Sequence, residues 1–152
     1  GYLLAAGLEP ALKYLETLHF TASEIEFLKS LPNLRNVPAN FFREILPNFK
    51  FTGDVWAIPE GCPVFPEQPL LRVSGPLVEA QIVETALLST ILFQTSVASR
   101  AARIVQAAAG RPVFEFGARR AHGSDAAVLA ARAAFIGGCA GTSVVEAGVR
   151  YG

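Results

Sequence analysis

Near the start of the chain, apolar residues repeat every three or four positions. Leu8, Leu12, Leu15 and Leu18 fall on one face of a helix over residues 7–19, with Pro10 in its first turn, where a missing N–H is tolerated. Thr21-Ala-Ser-Glu24 has the spacing of a capping box and is followed by Ile25, Phe27 and Leu28. It predicts a second helix ending near Pro32. A short helix is expected from Asn40 to Leu46. From Phe49 to Val73 the pattern shortens. Val55, Trp56, Ile58, Val64, Phe65, Leu70, Leu71 and Val73 stand in brief runs cut by Gly and Pro, which predicts a small antiparallel sheet. Residues 76–109 are apolar on most faces of a helix. One straight helix there would be about 50 Å long, so a break is expected near Gln94 to Ser96. Arg100 and Arg103 complement the dipole at its C-terminal end, and Gly110 is its stop. A strand over 112–116, a helix from Ser124 to Phe135 and a second strand from Thr142 to Glu146 then open an alternating β/α series. The class is α/β with an α+β N-terminal part. It divides into an α+β region (1–75), a helical connector (76–111) and the first β/α units (112–152).

Composition adds mainly exclusions. The 152 residues carry 13 basic and 13 acidic side chains, which argues against general nucleic-acid binding. The most apolar run, Ala86 to Ala98, is interrupted by five polar residues and is too short to span a membrane, so no membrane role is expected. No basic region or cleavage pattern marks a secretory signal, and a cytoplasmic protein is the default. Cys62 and Cys139, with His19 and His122, show no metal-ligand spacing, so no metal site is assigned and both thiols are read as reduced. The sequence contains no Met, and both ends read like the interior of a longer polypeptide. No glycine-rich phosphate loop of the Walker kind is present.

Candidate chemistry concentrates in Phe114-Glu-Phe-Gly-Ala-Arg-Arg-Ala-His-Gly-Ser-Asp125. Loops leaving the C-terminal ends of strands collect ligands in α/β folds, and guanidinium groups match carboxylates and phosphates in shape and charge. Arg119 and Arg120 therefore suit anions. An equally weighted alternative pairs each with Glu115 or Asp125 and merely ties the loop down. His122 invites a catalytic role as an imidazole but reads as a loop-shaping residue, and His19, at a helix end, as structural. Asp125 is a helix N-terminal charge and Glu115 an orienting partner. Gly137-Gly138 marks a helix end before it marks a ligand approach. Thr52-Gly53-Asp54 reads as a capped turn, and Trp56 as core or subunit-interface bulk.

Several long blocks, in order, resemble the nicotinate phosphoribosyltransferase family: Gly7-Leu8-Glu9, Phe51 through Gly61, Glu67 through Leu71, Glu79 through Thr85, Phe114 through Gly123, and Ile136 through Ser143. The resemblance covers nearly the whole chain. It implies a small N-terminal domain followed by the first units of a larger, irregular phosphoribosyltransferase barrel. Two strands cannot close such a barrel, so the chain is expected to be a segment of a longer protein. It also implies transfer of a phosphoribosyl group from 5-phosphoribosyl 1-pyrophosphate to nicotinate in NAD salvage, with coupled ATP hydrolysis, Mg²⁺ with the donor, and a homodimer. Arg119, Arg120, Phe116, Gly117, Thr142 and Ser143 become substrate-binding residues under it, and His122, Asp125 and Glu115 secondary contacts. No catalytic group is assigned. The family's phosphorylatable histidine belongs to a later motif that is absent here. After Thr-Ser the family commonly has Asn where this chain has Val144, which weakens a polar role at that position. Nicotinamide and quinolinate phosphoribosyltransferases, and a non-catalytic module of the same fold, are the alternatives.

Overall fold

A computed structural model describes residues 1–152. β1 (Leu3–Leu4) leads into α1 (Leu8–Thr17) through Gly7, which is left-handed at φ 98°. A Cβ on Gly7 would stand 2.9 Å from the Thr90 carbonyl oxygen, so both the backbone conformation and the packing there require glycine. α2 (Ala22–Ser30) opens on the expected capping box. The Thr21 hydroxyl accepts from the Glu24 N–H, and the Glu24 carboxylate accepts from the Thr21 N–H at 2.7 Å. The short helix expected at Asn40 to Leu46 is a wider π turn, Phe41–Ile45, followed by a 3₁₀ turn, Leu46–Asn48. Phe42 and Leu46 pack on Ile25 of α2.

The apolar runs that follow form two antiparallel ribbons rather than one sheet. β2 (Asp54–Ala57) pairs with β4 (Leu71–Ser74), placing Val55 opposite Val73, while β3 (Pro63–Val64) pairs back with β1. Trp56 is not core: it is 48% exposed, with the Arg72 guanidinium stacked 4.3 Å from its ring centroid. The Thr52-Gly53-Asp54 turn is held by Glu79, whose carboxylate accepts from the Thr52 N–H at 2.6 Å.

α3 (Leu77–Ala107) runs 31 residues without the break expected near Gln94 to Ser96. Thr95 and Ser99 bond the N-terminal segment that the helix covers, the Gln94 side-chain oxygen meets Arg132 while its buried amide nitrogen has no partner, and Ser96 is exposed. The Thr95 hydroxyl accepts from the Ala6 N–H at 3.2 Å and donates to the Ala6 carbonyl at 3.1 Å. Ser99 accepts from the Leu4 N–H at 2.8 Å and donates to the Thr95 carbonyl at 2.5 Å. By length and composition α3 passes the test for a membrane span, which the shorter run Ala86 to Ala98 did not foreshadow. One face of it packs into the core, while Leu77, Leu88, Leu92 and Ile104 are exposed. Val83, Leu87 and Ile91 join Ala11 and Leu15 of α1 over the β2–β4 ribbon, and Ala98 meets Ala6 and Ala133.

β5 (Phe114–Glu115), α4 (Ser124–Ile136) and β6 (Gly141–Thr142) form a βαβ unit with parallel strands, Glu115 opposite Thr142. α4 lies close on α3 because Gly137 has no side chain there: an added Cβ would be 2.6 Å from both the Ala98 carbonyl oxygen and the Ala101 Cβ. The second strand does not reach Glu146 as expected. After Thr142 the chain turns, and Val145–Tyr151 is α5. The Thr142 hydroxyl accepts from the Val144 N–H at 3.1 Å, and Glu146 pairs with Arg150 one turn on at 2.8 Å. Val144 packs on Val128, Ala131 and Ala147, which gives the position a packing role.

Candidate functional site

Phe114 and Glu115 supply the strand that aims the loop, and Gly117 ends it. Ala118–Arg120 then forms a single 3₁₀ turn, closed by the Arg120 N–H donating to the Gly117 carbonyl at 2.8 Å. Both arginines are exposed, and neither lies in any of the chain's four ion pairs. The alternative in which Glu115 or Asp125 neutralises them is therefore not what the structure adopts. They lie within the turn itself rather than on the strand, so the alternation of strand side chains does not separate them. Phe116 is 65% exposed beside them.

Glu115 turns away from the arginines. Its carboxylate accepts from the Gly117 N–H and, at 2.7 Å, from the Thr142 hydroxyl. The Ser143 N–H donates to the Glu115 carbonyl at 3.1 Å. Glu115, Gly117, Thr142 and Ser143 are thus joined by hydrogen bonds at the C-terminal ends of two adjacent parallel strands, and the arginine turn rises from that platform. Below it, Cys139 is buried. Burial, with the Glu115 charge adding to it, pushes its thiol up, so it is a packed, protonated side chain. His122 is exposed and makes no hydrogen bond in the chain, and Asp125 lies in the first turn of α4. His19 bonds the Thr17 carbonyl at 2.9 Å, as a structural residue would. Gly137 and Gly138 end α4, with Gly138 left-handed at φ 94°.

A second charged cluster was not singled out from the sequence. The Arg132 guanidinium, on α4, donates to Glu60 at 2.6 and 2.9 Å, to Glu9 at 2.5 Å and to the Gln94 side-chain oxygen at 3.4 Å. Glu60 also accepts from the Gly7 and Leu8 N–H groups at 2.5 and 3.0 Å, which gives the N-terminus of α1 its anion. Burial works to raise the Glu60 carboxyl. The hydrogen bonds from Arg132, Gly7 and Leu8 outweigh it and hold the group below its ordinary value. Hydrogen bonding to Glu60 likewise raises Arg132 despite partial burial, so it stays charged. The clue in the sequence was a lone arginine inside the alanine-rich segment Ala126 to Ala134.

No three His, Cys, Asp or Glu side chains stand together in a way that could hold a metal ion. The residues of this chain thus supply no complete ligand set of their own for a Mg²⁺ ion.

Comparison with known proteins agrees with this architecture. The family model for the nicotinate phosphoribosyltransferase (NAPRTase) N-terminal domain matches residues 1–92. The chain is 45% identical over 152 residues to nicotinate phosphoribosyltransferase pncB2 of Mycobacterium tuberculosis, covering all of this chain and 32% of that protein. It is 45% identical over 151 residues to the Bacillus subtilis nicotinate phosphoribosyltransferase, covering 99% of this chain and 30% of that one. The crystal structure of human nicotinic acid phosphoribosyltransferase superposes with a TM-score of 0.87 at 36% identity, over 97% of this chain and 30% of the human one. The chain spans about a third of the length of the curated relatives it matches. On the matched domain, the near-complete coverage of the chain and the shared fold, it belongs to the nicotinate phosphoribosyltransferase family.

Proposed function

We propose that this chain contributes the anion-holding turn of an enzyme that joins nicotinate to 5-phosphoribosyl 1-pyrophosphate. The products are nicotinate mononucleotide and pyrophosphate. The observation that carries the reading is the pair of exposed arginines on one short turn, free of carboxylate partners, at the C-terminal edge of a parallel strand pair. In the reaction the pyridine nitrogen forms a bond to C1 of the ribose as the bond from C1 to the pyrophosphate oxygen breaks. The leaving pyrophosphate takes the electron pair, and positive charge develops on the sugar. The contribution of Arg119 and Arg120 is to hold a carboxylate and phosphoryl oxygens in line, so that catalysis comes from alignment and fixed charge. Phe116 offers an aromatic face to the pyridine ring, and Ser143 offers a hydroxyl beside it.

ATP hydrolysis coupled to turnover and Mg²⁺ accompanying the donor belong to the same reading through the family, and neither is given a step by the residues of this chain. A homodimer and a cytoplasmic location complete it. The stacked Trp56–Arg72 pair supports the dimer, since exposed Trp and Arg are the side chains that interfaces favour.

The test is pyrophosphate release by the polypeptide that carries this chain, with nicotinate, nicotinamide or quinolinate as acceptor. Nicotinate should be preferred, and Arg119→Ala or Arg120→Ala should abolish that preference. If both variants keep wild-type nicotinate affinity, the assignment of the turn is wrong. If nicotinamide or quinolinate is preferred, the substrate is.

A further inference from the structure

We infer that Glu115 is a positioning residue that fixes the arginine turn and keeps it free to bind anions, an inference that rests on the anion-holding reading of Arg119 and Arg120. The pivot is Gly117. Its N–H is held by the Glu115 carboxylate, and its carbonyl accepts from the Arg120 N–H at 2.8 Å, closing the turn that carries both guanidinium groups. The second carboxylate oxygen of Glu115 accepts from the Thr142 hydroxyl at 2.7 Å, and that hydroxyl accepts from the Val144 N–H at 3.1 Å. One side chain thus ties the exit of β5 to the exit of β6, the two backbones that flank the turn.

Gly117 supplies an independent sign of the same arrangement. Its φ of −86° is open to any residue, so conformational freedom does not explain a glycine there. A Cβ would stand 2.8 Å from the Glu115 carboxylate oxygen, so what a glycine permits is the return of that carboxylate onto its own loop. The consequence for charge is direct. Glu115 is the acid nearest in sequence to the arginines, yet both of its oxygens are taken by Gly117 and Thr142, and it forms no ion pair with either. The guanidinium groups are left uncompensated for a ligand.

Two roles for this carboxylate differ in the sign of their effect. If Glu115 acts only through its negative charge, Glu115→Gln tightens anion binding, because a repulsive charge is removed. If it positions the turn, the same substitution weakens binding. Glutamine can still accept from Gly117, but it presents an amide to Thr142 and leaves that hydroxyl proton without its acceptor.

The experiment is titration of the polypeptide carrying this chain with inorganic pyrophosphate by calorimetry, with thermal denaturation run alongside. Glu115→Gln and Thr142→Val should each weaken pyrophosphate binding by about fivefold to tenfold, the size of one hydrogen bond's net contribution. The double variant should be no weaker than either single one, because both cut the same link. Thr142→Ser, which keeps the hydroxyl, should recover most of the binding that Thr142→Val loses. Unchanged or tighter binding by Glu115→Gln overturns the inference, as do losses that multiply in the double variant. A lowered melting temperature with unchanged affinity also overturns it, since that is the mark of a structural role alone. A wild type that binds pyrophosphate but does not use nicotinate overturns the proposed substrate and leaves the positioning role standing. A wild type that binds no pyrophosphate overturns both.

Discussion

Arg132 lies about two turns into α4 with its guanidinium shared among Glu9, Glu60 and Gln94, whereas Arg119 and Arg120, on the turn leading into the same helix, meet no carboxylate. The two regions hold the same functional group within one βα unit and use it in opposite ways. At Arg132 the charge is spent inside the chain. It fastens α4 to the start of α1 and to the loop carrying Glu60, positions 123 and 72 residues away. Its side chain is only 9% exposed, so its hydrogen bonds operate with little competition from water. At the turn the nearest acid is diverted to Gly117 and Thr142, and the charges face outward. A guanidinium answered on every side supports a fold, and one answered by nothing in its own chain is available to a ligand.

The sharpest way to break this contrast is Arg132→Ala. Removing the guanidinium leaves Glu60, 19% exposed, without its charged partner, while Glu9, 67% exposed, returns to water, at a cost of about 2–3 kcal/mol. Urea denaturation should show a lower midpoint with an unchanged slope. A shift smaller than that of an ordinary surface substitution would mean the clasp is not structural. Gly137→Ala comes next. Its Cβ would meet the Ala98 carbonyl and the Ala101 side chain at 2.6 Å, neither of which is a flexible tip, so α3 and α4 must separate. The expected cost is about 1–3 kcal/mol, read from the same denaturation curve. Wild-type stability in this variant would show that the two helices pack less tightly than the structure has them.

Acid pH sharpens the comparison further. Because Glu60 is held below its ordinary carboxyl value of 4.5 in the folded chain, the unfolded chain binds its proton first as the pH falls. Its stabilising contribution is therefore present above the ordinary value and is lost as pH falls through the folded-state value. Glu60→Gln should be less stable near neutrality, and it should lose less stability than the wild type on acidification through that window. Denaturant midpoints measured across the acid range test this, and parallel curves for the two proteins would remove Glu60 from the linkage.

What could be read in the sequence divides along the same line, between local and distant partners. The capping box at Thr21 and Glu24 and the arginine turn after β5 are written in neighbouring residues, and each is where it was expected, whereas α1 buries Ala11 and Leu15 and leaves Leu12 of the expected leucine face exposed. Gln94 and Thr95 looked like an interruption because their partners are distant, Arg132 on α4 for Gln94 and Ala6, 89 residues away, for Thr95. Thr142-Ser-Val-Val145 favours a strand by its β-branched residues, but packing on Val128 and Ala131 turns Val145 onward into helix. Glu9 and Glu60 were visible as residues, and their meeting at Arg132 required the fold.

The smallest expected change in stability is also the most discriminating. Arg119→Ala and Arg120→Ala each remove an exposed side chain with no internal partner, so the denaturation midpoint should move by no more than about 0.5 kcal/mol equivalent. Arg132→Ala, by contrast, is expected to show a clear loss on the same curve. If the turn arginines are held for a ligand, added pyrophosphate should raise the melting temperature of the wild type, since a ligand that binds only the folded state stabilises it by mass action. It should raise that of the two variants less. The paired readout separates three cases. Stability lost without ligand would place Arg119 and Arg120 among the structural charges, beside Arg132. Stability and ligand response both unchanged would make them solvated surface. Unchanged stability with a diminished response to pyrophosphate is the outcome their geometry requires, because nothing in the folded chain consumes their charge and two guanidinium groups on one turn can meet the oxygens of a single anion.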